Sequence, residues 1–491
     1  MLRVSGLFVL IAFGCLMFAD VQITTLDPWS EMQRMALGVI TPDFTAVSDI
    51  GWVLVRTVAF AFCGVALGAV GGFVLSQFFH VGPVRWICAF IRAIHELFWA
   101  LIFLQMFGLT PLTGVLAIAI PYAGICAKVY AETLEEADLR ASKVLAPGAD
   151  MVSAFFYARL PTVWVHIKNY TSYRFECGLR SSAVLGFVGL PTLGFYLETA
   201  FSEGNYSEAA ALMILFYVMI ASLRYWMRAR LIGLYALVAP FLLGGGVDIQ
   251  MTNVVRFFTV DIVPAPLRGE DVFAVGVLPD LADWVWMMLS DMALPGIIAT
   301  LLLTQIALVG TGMLALVMFP LISEKFLGRF GCSVGHGVLV VIRSTPEFIL
   351  AYIFLQLWGP SMLPAIVALA LHNGAIIGHL IGRFSNQVVL RPDHATGINL
   401  YAFEMLPRIY GQFLAYLFYR WEVIMRETAI LGILGIATLG FFIDSALSEI
   451  RLDRAMFLIV VTAILNIGID VLSRRIRRRL HLSDTAQQLK K

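Results

Sequence analysis

Apolar runs long enough to cross ~30 Å of hydrocarbon, about 20 residues each, recur along the whole chain with short polar stretches between them. The pattern predicts spans near 4–19, 52–79, 86–107, 112–131, 179–199 and 208–227. A second series follows near 231–246, 293–322, 338–358, 362–382, 425–446 and 455–473. The expected fold class is therefore all-α, a polytopic membrane protein of about twelve transmembrane helices. Residues 1–19 have the basic start and apolar middle of a secretory signal, but no A-x-A site follows, so an uncleaved first helix is expected. A similar run at 231–243 lies mid-chain, where cleavage has no meaning. Both runs read as the first helix of a half.

Self-similarity is the strongest signal. Residues 170–195 align without gaps on 416–441 at an offset of 246, matching Tyr173/Tyr419, Arg174/Arg420, Glu176/Glu422, Arg180/Arg426, Gly186/Gly432, Gly189/Gly435 and Gly194/Gly440. Residues 92–108 align on 343–359 at an offset of 251, so the segment between the blocks is five residues shorter in the second copy. Duplication explains both blocks and predicts two repeats, 1–230 and 231–491, each of about six spans. An even number of spans per copy makes the repeats parallel, related by an axis along the membrane normal, with a central passage as the natural consequence.

Composition agrees. Of 491 residues 60% are hydrophobic and 14% charged, against roughly 45–50% and 25% in soluble domains, a surplus that only lipid can accommodate. The net charge of +1 says less than its distribution. The loop 20–51 holds Asp20, Asp27, Glu31, Asp43 and Asp49 against Arg34, and the loop 247–292 holds seven acids against Arg256 and Arg268. Basic residues crowd 128–180, 383–426, the junction Arg224, Arg228, Arg230, and the tail from Arg474 to Arg479. The Lys/Arg bias puts the two acidic loops outside and the basic segments inside, with both termini cytoplasmic. The basic tail also suits anionic lipid. Nucleic acid is not an expected ligand. Six scattered cysteines without a CxxC read as small buried side chains.

The segments RAIHELFWALIF at 92–103, the YR[FW]E tetrads at 173–176 and 419–422, and LGxxGxxxLG at 185–194 and 431–440 resemble the permeases of bacterial ABC importers, most closely the phosphonate/phosphite (phosphorus oxyanion) branch. The resemblance covers roughly 52–230 and 293–480 and implies a type I permease fold, with a pair of permease units fused in one chain. It further implies two ATP-binding cassette ATPase subunits holding the ATP and Mg, a periplasmic substrate-binding protein, a small anionic substrate, and the bacterial inner membrane. The family's ATPase-coupling loop carries a Glu-Ala pair, a glycine, and Leu-Pro twelve residues after the glycine. Here Gly148 and Leu160-Pro161 keep that spacing, with Ser142 at the glutamate position. In the second half Leu406-Pro407 is present, with Gly397 nine residues before the leucine.

No G-x-x-x-x-G-K-[ST] loop and no Gly-Lys pair occurs, so energy must come from another chain or from an ion gradient. No cofactor is expected in this chain, and no H-E-x-x-H or other metal motif is present. His372 and His379, seven apart on one predicted helix, share a face that suits hydrogen bonding inside the bundle or metal or proton work. Gly186, Gly189, Gly194, Gly432, Gly435 and Gly440 permit either close helix packing or a helix break lining the translocation pathway. Arg180 and Arg426, at matching places, either anchor topology and pair with Glu176 and Glu422 or attract an oxyanion. Arg92 with Glu96, and Arg343 with Glu347, sit four apart and read as structural ion pairs along one helix face. The reading is a non-enzymatic permease of an ATP-driven importer. An ion-coupled secondary transporter and a non-transporting membrane scaffold are the alternatives.

Overall fold

The computed structural model describes residues 1–137, 150–228, 230–244, 249–268, 276–393 and 395–482. Among these residues all regular structure is helical. The principal helices are α1 Leu2–Leu16, α2 Pro28–Ile40, α3 Ile50–Gln77, α4 Gly82–Ala93, α5 Glu96–Phe107, α6 Pro111–Glu135, α7 Leu160–Val184, α8 Leu193–Ser202 and α9 Tyr206–Trp226. They continue as α10 Ile232–Leu243, α11 Leu294–Met318, α12 Glu324–Ser344, α13 Glu347–Trp358, α14 Met362–Gln387, α15 Leu406–Leu431, α16 Leu439–Ser448 and α17 Leu452–Arg479.

Seven of the described helices are long and apolar enough to cross a bilayer, and up to nine spans result when each of two bent pairs is taken as one. Four more, α1, α10, α13 and α16, are apolar but shorter. The helix starts repeat with the offsets of the sequence: Glu96 and Glu347, Pro111 and Met362 at 251, then Leu160 and Leu406, Leu193 and Leu439 at 246.

Several expected spans are divided. The run 86–107 is two helices, α4 and α5, bent by 95°. Ile94 and His95 adopt extended backbone at the break, and the His95 side chain accepts from the Leu97 N–H to cap α5. In the second copy Thr345 and Pro346 are extended at the same place, between α12 and α13, as a residue before proline prefers. The runs 179–199 and 425–446 are each the end of a long helix, α7 or α15, followed by a turn and a short one, α8 or α16. α7 and α15 begin about nineteen residues earlier than expected, because the helix continues through polar residues that the hydropathy pattern does not count as part of a span.

The compact units are Met35–Phe258 on the one hand, and Met1–Arg34 with Thr259–Lys491 on the other. The units change over at 34/35 and 258/259, away from the repeat boundary expected at 230/231. In the second unit α1 packs on α11. Phe8 lies edge-on to Phe418 and Trp421, each at 5.2 Å, and Tyr410 donates to Ser5 at 2.6 Å. In the unit Met35–Phe258, α10 packs on α3, with Tyr235 at 5.4 Å from Phe62 and donating to the Trp226 carbonyl.

Each unit is built on one close helix pair. In Met35–Phe258 a Cβ on Gly64, Gly68 or Gly72 of α3 would stand 2.5, 2.7 or 2.5 Å from the Cβ of Ile118, Tyr122 or Cys126 on α6. Glycine every fourth residue lets the backbones approach where lipid supplies no hydrophobic drive between helices. The other unit makes the equivalent contact with the glycines on the opposite helix. Gly374, Gly378 and Gly382 of α14 face Leu314, Met318 and Ile322 at 2.9, 3.0 and 2.5 Å. Gly68→Val is therefore expected to destabilise the protein by about 1–3 kcal/mol through overpacking. Gly71→Ala, whose Cβ would meet Ala123 Cβ at an ordinary 3.5 Å, leaves it unchanged. Thermal unfolding in mild detergent reads both.

Candidate functional site

The glycine segments form a clasp in each copy. After α7 the chain makes one 3-10 turn, Leu185–Val188, and reverses at Gly189, whose φ of +87° suits glycine. Gly435 has φ +85° at the same place. The returning strand of backbone then crosses the end of the helix it has just left. A Cβ on Gly186 would lie 2.1 Å from the Phe195 nitrogen, and one on Gly194 would lie 1.8 Å from the Ala183 oxygen. For Gly432 and Gly440 the distances are 2.1 Å to the Phe441 nitrogen and 1.9 Å to the Ala429 oxygen. Backbone contact alone therefore requires glycine at these four positions. The first N–H of α8, on Leu193, donates to Thr57 Oγ1 of α3 at 2.9 Å. In the other copy Leu439 donates to Thr300 Oγ1 of α11 at 3.0 Å. Both threonines are buried and take up a backbone donor that lipid could not.

Arg180 and Arg426 lie six residues before Gly186 and Gly432, near the ends of α7 and α15. Arg180 Nη2 is 3.7 Å from Cys177 Sγ. The helix break at 94–95 and at 345–346 puts Arg92 and Glu96, like Arg343 and Glu347, on different helices. The face-sharing geometry expected of these pairs is therefore absent. Glu96 accepts from Ser181 Oγ at 2.7 Å, Ser181 is 3.1 Å from the Tyr122 hydroxyl, and His95 Nε2 lies 3.8 Å from Glu96. Arg174, seven residues before Ser181 on α7, donates to Tyr170 at 2.8 and 2.5 Å and lies over the rings of Tyr170, Tyr173 and Tyr122.

At the same offsets the second copy replaces Tyr122 by Asn373 and Ser181 by Glu427. Asn373 Nδ2 donates to Glu427 at 2.8 Å, and Arg420, the counterpart of Arg174, is 3.9 Å from Glu427. His372 Nε2 lies 3.8 Å from Glu347, and its Nδ1 is 2.9 Å from the Thr345 carbonyl oxygen. His379, seven residues on, is instead beside His336, ring centroids 5.1 Å apart. Sequence reasoning singled out His372 and Glu347 separately and did not see Glu427. The signal available was the position where an otherwise regular repeat exchanges a serine for a carboxylate.

Ser142, Gly148 and the Pro147 break between them lie outside the described residues. Their downstream partners are placed. Leu160-Pro161 does not stand in a loop: a short helix Met151–Ala154 and a π-helical turn Phe155–Arg159 lead straight into α7. Leu406-Pro407 is reached through Gly397–Asn399 and the π-helical Leu400–Met405 in the same way. The wider turn leaves room for a proline ring and its missing N–H, which would otherwise clash within an α-helix. Gly397 has φ +62°. Arg159 donates through Nε and Nη2 to the Leu134 carbonyl at 3.2 and 2.8 Å, tying the end of α6 to the start of α7. Bonds from the Ser153 hydroxyl and N–H hold the exposed Asp150 carboxyl below its ordinary pKa. In the second copy Glu404 binds Arg408 and lies 4.0 Å from Arg391.

Both segments expose large apolar side chains at equivalent positions. Val152 and Tyr157 are 64% and 81% exposed, and Ile398 and Phe403, each 246 residues on, are 84% and 79% exposed. Side chains so exposed are available for contact outside their own unit, with lipid or with another protein.

The chain is 25% identical over 482 residues to the phosphate-import permease PhnE of Mycolicibacterium smegmatis, a match spanning 91% of this chain and 88% of that protein. It is 28% identical over 232 residues to the phosphite transport system permease PtxC of Stutzerimonas stutzeri, spanning 43% of this chain and 83% of the relative. It is 31% identical over 110 residues to the cryptic phosphonate transport system permease PhnE2 of Escherichia coli strain K12, spanning 22% and 90%. No protein-family model and no solved structure matches. The phosphite permease occupies less than half of this chain, whereas the mycobacterial relative runs along nearly all of it, as two fused units require.

The clasp yields a test of its own. Thr57→Val, which strips the acceptor from the buried Leu193 N–H, is expected to cost about 1–3 kcal/mol, and Thr57→Ser to cost less. Gly194→Ala and Gly440→Ala force backbone apart and are expected to lower the melting temperature further than Thr57→Val. Equal melting temperatures for Thr57→Val and wild type would show that the hydrogen bond contributes nothing.

Proposed function

Because the chain belongs to the permeases of phosphate, phosphonate and phosphite transport systems, we propose that it is the fused, two-unit permease of an ATP-driven importer. It passes a small phosphorus oxyanion across the cytoplasmic membrane of a bacterium by alternating access. Two ATP-binding cassette ATPase subunits, carrying the ATP and Mg, press on the segments that lead into α7 and α15. A periplasmic binding protein delivers the anion to the outer face, where the acidic segments 20–51 and 247–292 would lie, and both termini are cytoplasmic. The permease catalyses no reaction of its own. Arg180, Arg426 and the clasp glycines belong to the wall of the pathway.

The observation that carries this reading is the matched pair of exposed apolar residues beside the two Leu-Pro pairs, Val152 and Tyr157 in one copy, Ile398 and Phe403 in the other. Each pair projects from a helix start that the π-helical turn fixes, so a force applied there is transmitted along α7 or α15 to the glycine clasp at its far end. Ser142 and Gly148 complete the first coupling segment. Gly397, Leu406 and Pro407 complete the second, in which the Glu404 contacts with Arg391 and Arg408 brace the shorter connection.

The test is purification of the tagged chain in mild detergent with identification of co-purifying proteins. An ATPase subunit is expected with the wild type, and its recovery is expected to fall at least tenfold in Tyr157→Asp/Phe403→Asp, with the melting temperature unchanged because both residues are exposed. A folded preparation that never yields an ATPase would favour the ion-coupled transporter or the scaffold instead.

A further inference from the structure

We propose that the second copy holds a divalent transition-metal ion between Glu347, His372 and Glu427. One oxygen of each carboxylate and one imidazole nitrogen lie within 4.8 Å of one another. An ion equidistant from three such atoms would sit at most about 2.8 Å from each, so side-chain shifts well under 1 Å bring the ligands to the ~2.0–2.2 Å of Zn–N and Zn–O bonds. One nitrogen with carboxylate oxygens suits zinc and its first-row neighbours better than magnesium or calcium, which take oxygen alone.

Four further observations point the same way. His372 presents Nε2 to Glu347 at 3.8 Å, a gap too long for a hydrogen bond and about the ligand-to-ligand spacing across a bound metal. Its other nitrogen, Nδ1, lies 2.9 Å from the Thr345 carbonyl, which fixes Nδ1 as the protonated nitrogen. That backbone contact is the outer support typical of metal-bound histidine. Asn373, fully buried, donates to Glu427 at 2.8 Å while its Oδ1 has no hydrogen-bond partner, a buried oxygen left unused on a residue that touches the cluster. Finally, two carboxylates brought together away from water repel unless a cation or a proton lies between them. Arg420 lies 3.9 Å from Glu427.

The first copy supplies the internal contrast. Its counterpart of Glu427 is Ser181, which donates a hydrogen bond to Glu96, and the counterpart of His372 is Pro121. One carboxylate and a hydroxyl need no metal. The same helix framework therefore exists in this chain in a form with the site and a form without it, and the site is a property of the second copy alone.

The experiment uses the full chain, purified in detergent, stripped with chelator, reloaded with Zn2+ and freed of excess, with metal measured by inductively coupled plasma mass spectrometry. Wild type is expected to retain about one zinc per chain and to melt higher than the stripped form. Glu427→Ser, which installs the residue the first copy already packs at this place, is expected to fold and to lose at least tenfold of the bound metal and the metal-dependent melting shift. His372→Gln is expected to do the same, and it decides the matter should Glu427→Ser fail to fold. Zinc retained equally by wild type and the variants would overturn the assignment, as would a metal-free wild type whose melting temperature responds to pH alone, the mark of a shared proton. Metal content is read without an ATPase or a substrate, so this result stands apart from that of the transport reading.

Discussion

A helix that breaks inside a bilayer releases backbone donors and acceptors that lipid cannot satisfy, and most of this structure is arranged around two such breaks. At the ends of α7 and α15 the chain turns on Gly189 or Gly435, runs back across the helix it has just left, and starts α8 or α16 with its first N–H held by Thr57 or Thr300. The crossing is so close that Gly186, Gly194, Gly432 and Gly440 have no room for a Cβ. Because the threonines lie on α3 and α11, the breaks are fastened to the same helices that make the close pairs with α6 and α14. Any change in the angle of α7 or α15 is thereby carried into the frame of its unit.

The polar interior follows from that frame. With α6 against α3, the side chains of Tyr122 and Ser181 meet at the start of α5, where Glu96 waits, and three neutral or singly charged groups satisfy one another. The second copy keeps the frame and changes its occupants. Glu427 and Asn373 replace the two hydroxyls, and His372 enters from a position that is proline in the first copy. Duplication thus left a scaffold on which one polar cluster could be exchanged for another of different charge while the three helices that carry it, α5, α6 and α7 or α13, α14 and α15, kept their starts in register.

The two Leu-Pro pairs show the same economy at the other end of these helices. A proline at the second position of a long helix needs a widened turn before it, and both copies supply a π-helical turn there. That turn projects Tyr157 and Phe403 away from the unit. The outward aromatic is a consequence of the backbone solution to proline, and it stands on a rigid lead into α7 and α15.

Hydropathy, the basic-residue bias and the repeat offsets of 251 and 246 determined, without coordinates, that this is an all-α membrane protein built twice over, because burial in lipid and duplication both act locally along the chain. The glycines of LGxxGxxxLG were legible as positions needing closeness, though not as a crossing of one backbone over itself, since that depends on where Ala183 and Phe195 come to lie. The local His95 cap that divides 86–107 and puts Arg92 and Glu96 on different helices left no mark in the hydropathy pattern, while tertiary structure alone decided that α1 packs with the later part of the chain, because that turns on contacts between segments far apart in sequence. The cluster of Glu347, His372 and Glu427 belongs to the same class. Its three residues come from three helices, and no spacing rule joins them until α13, α14 and α15 are packed together.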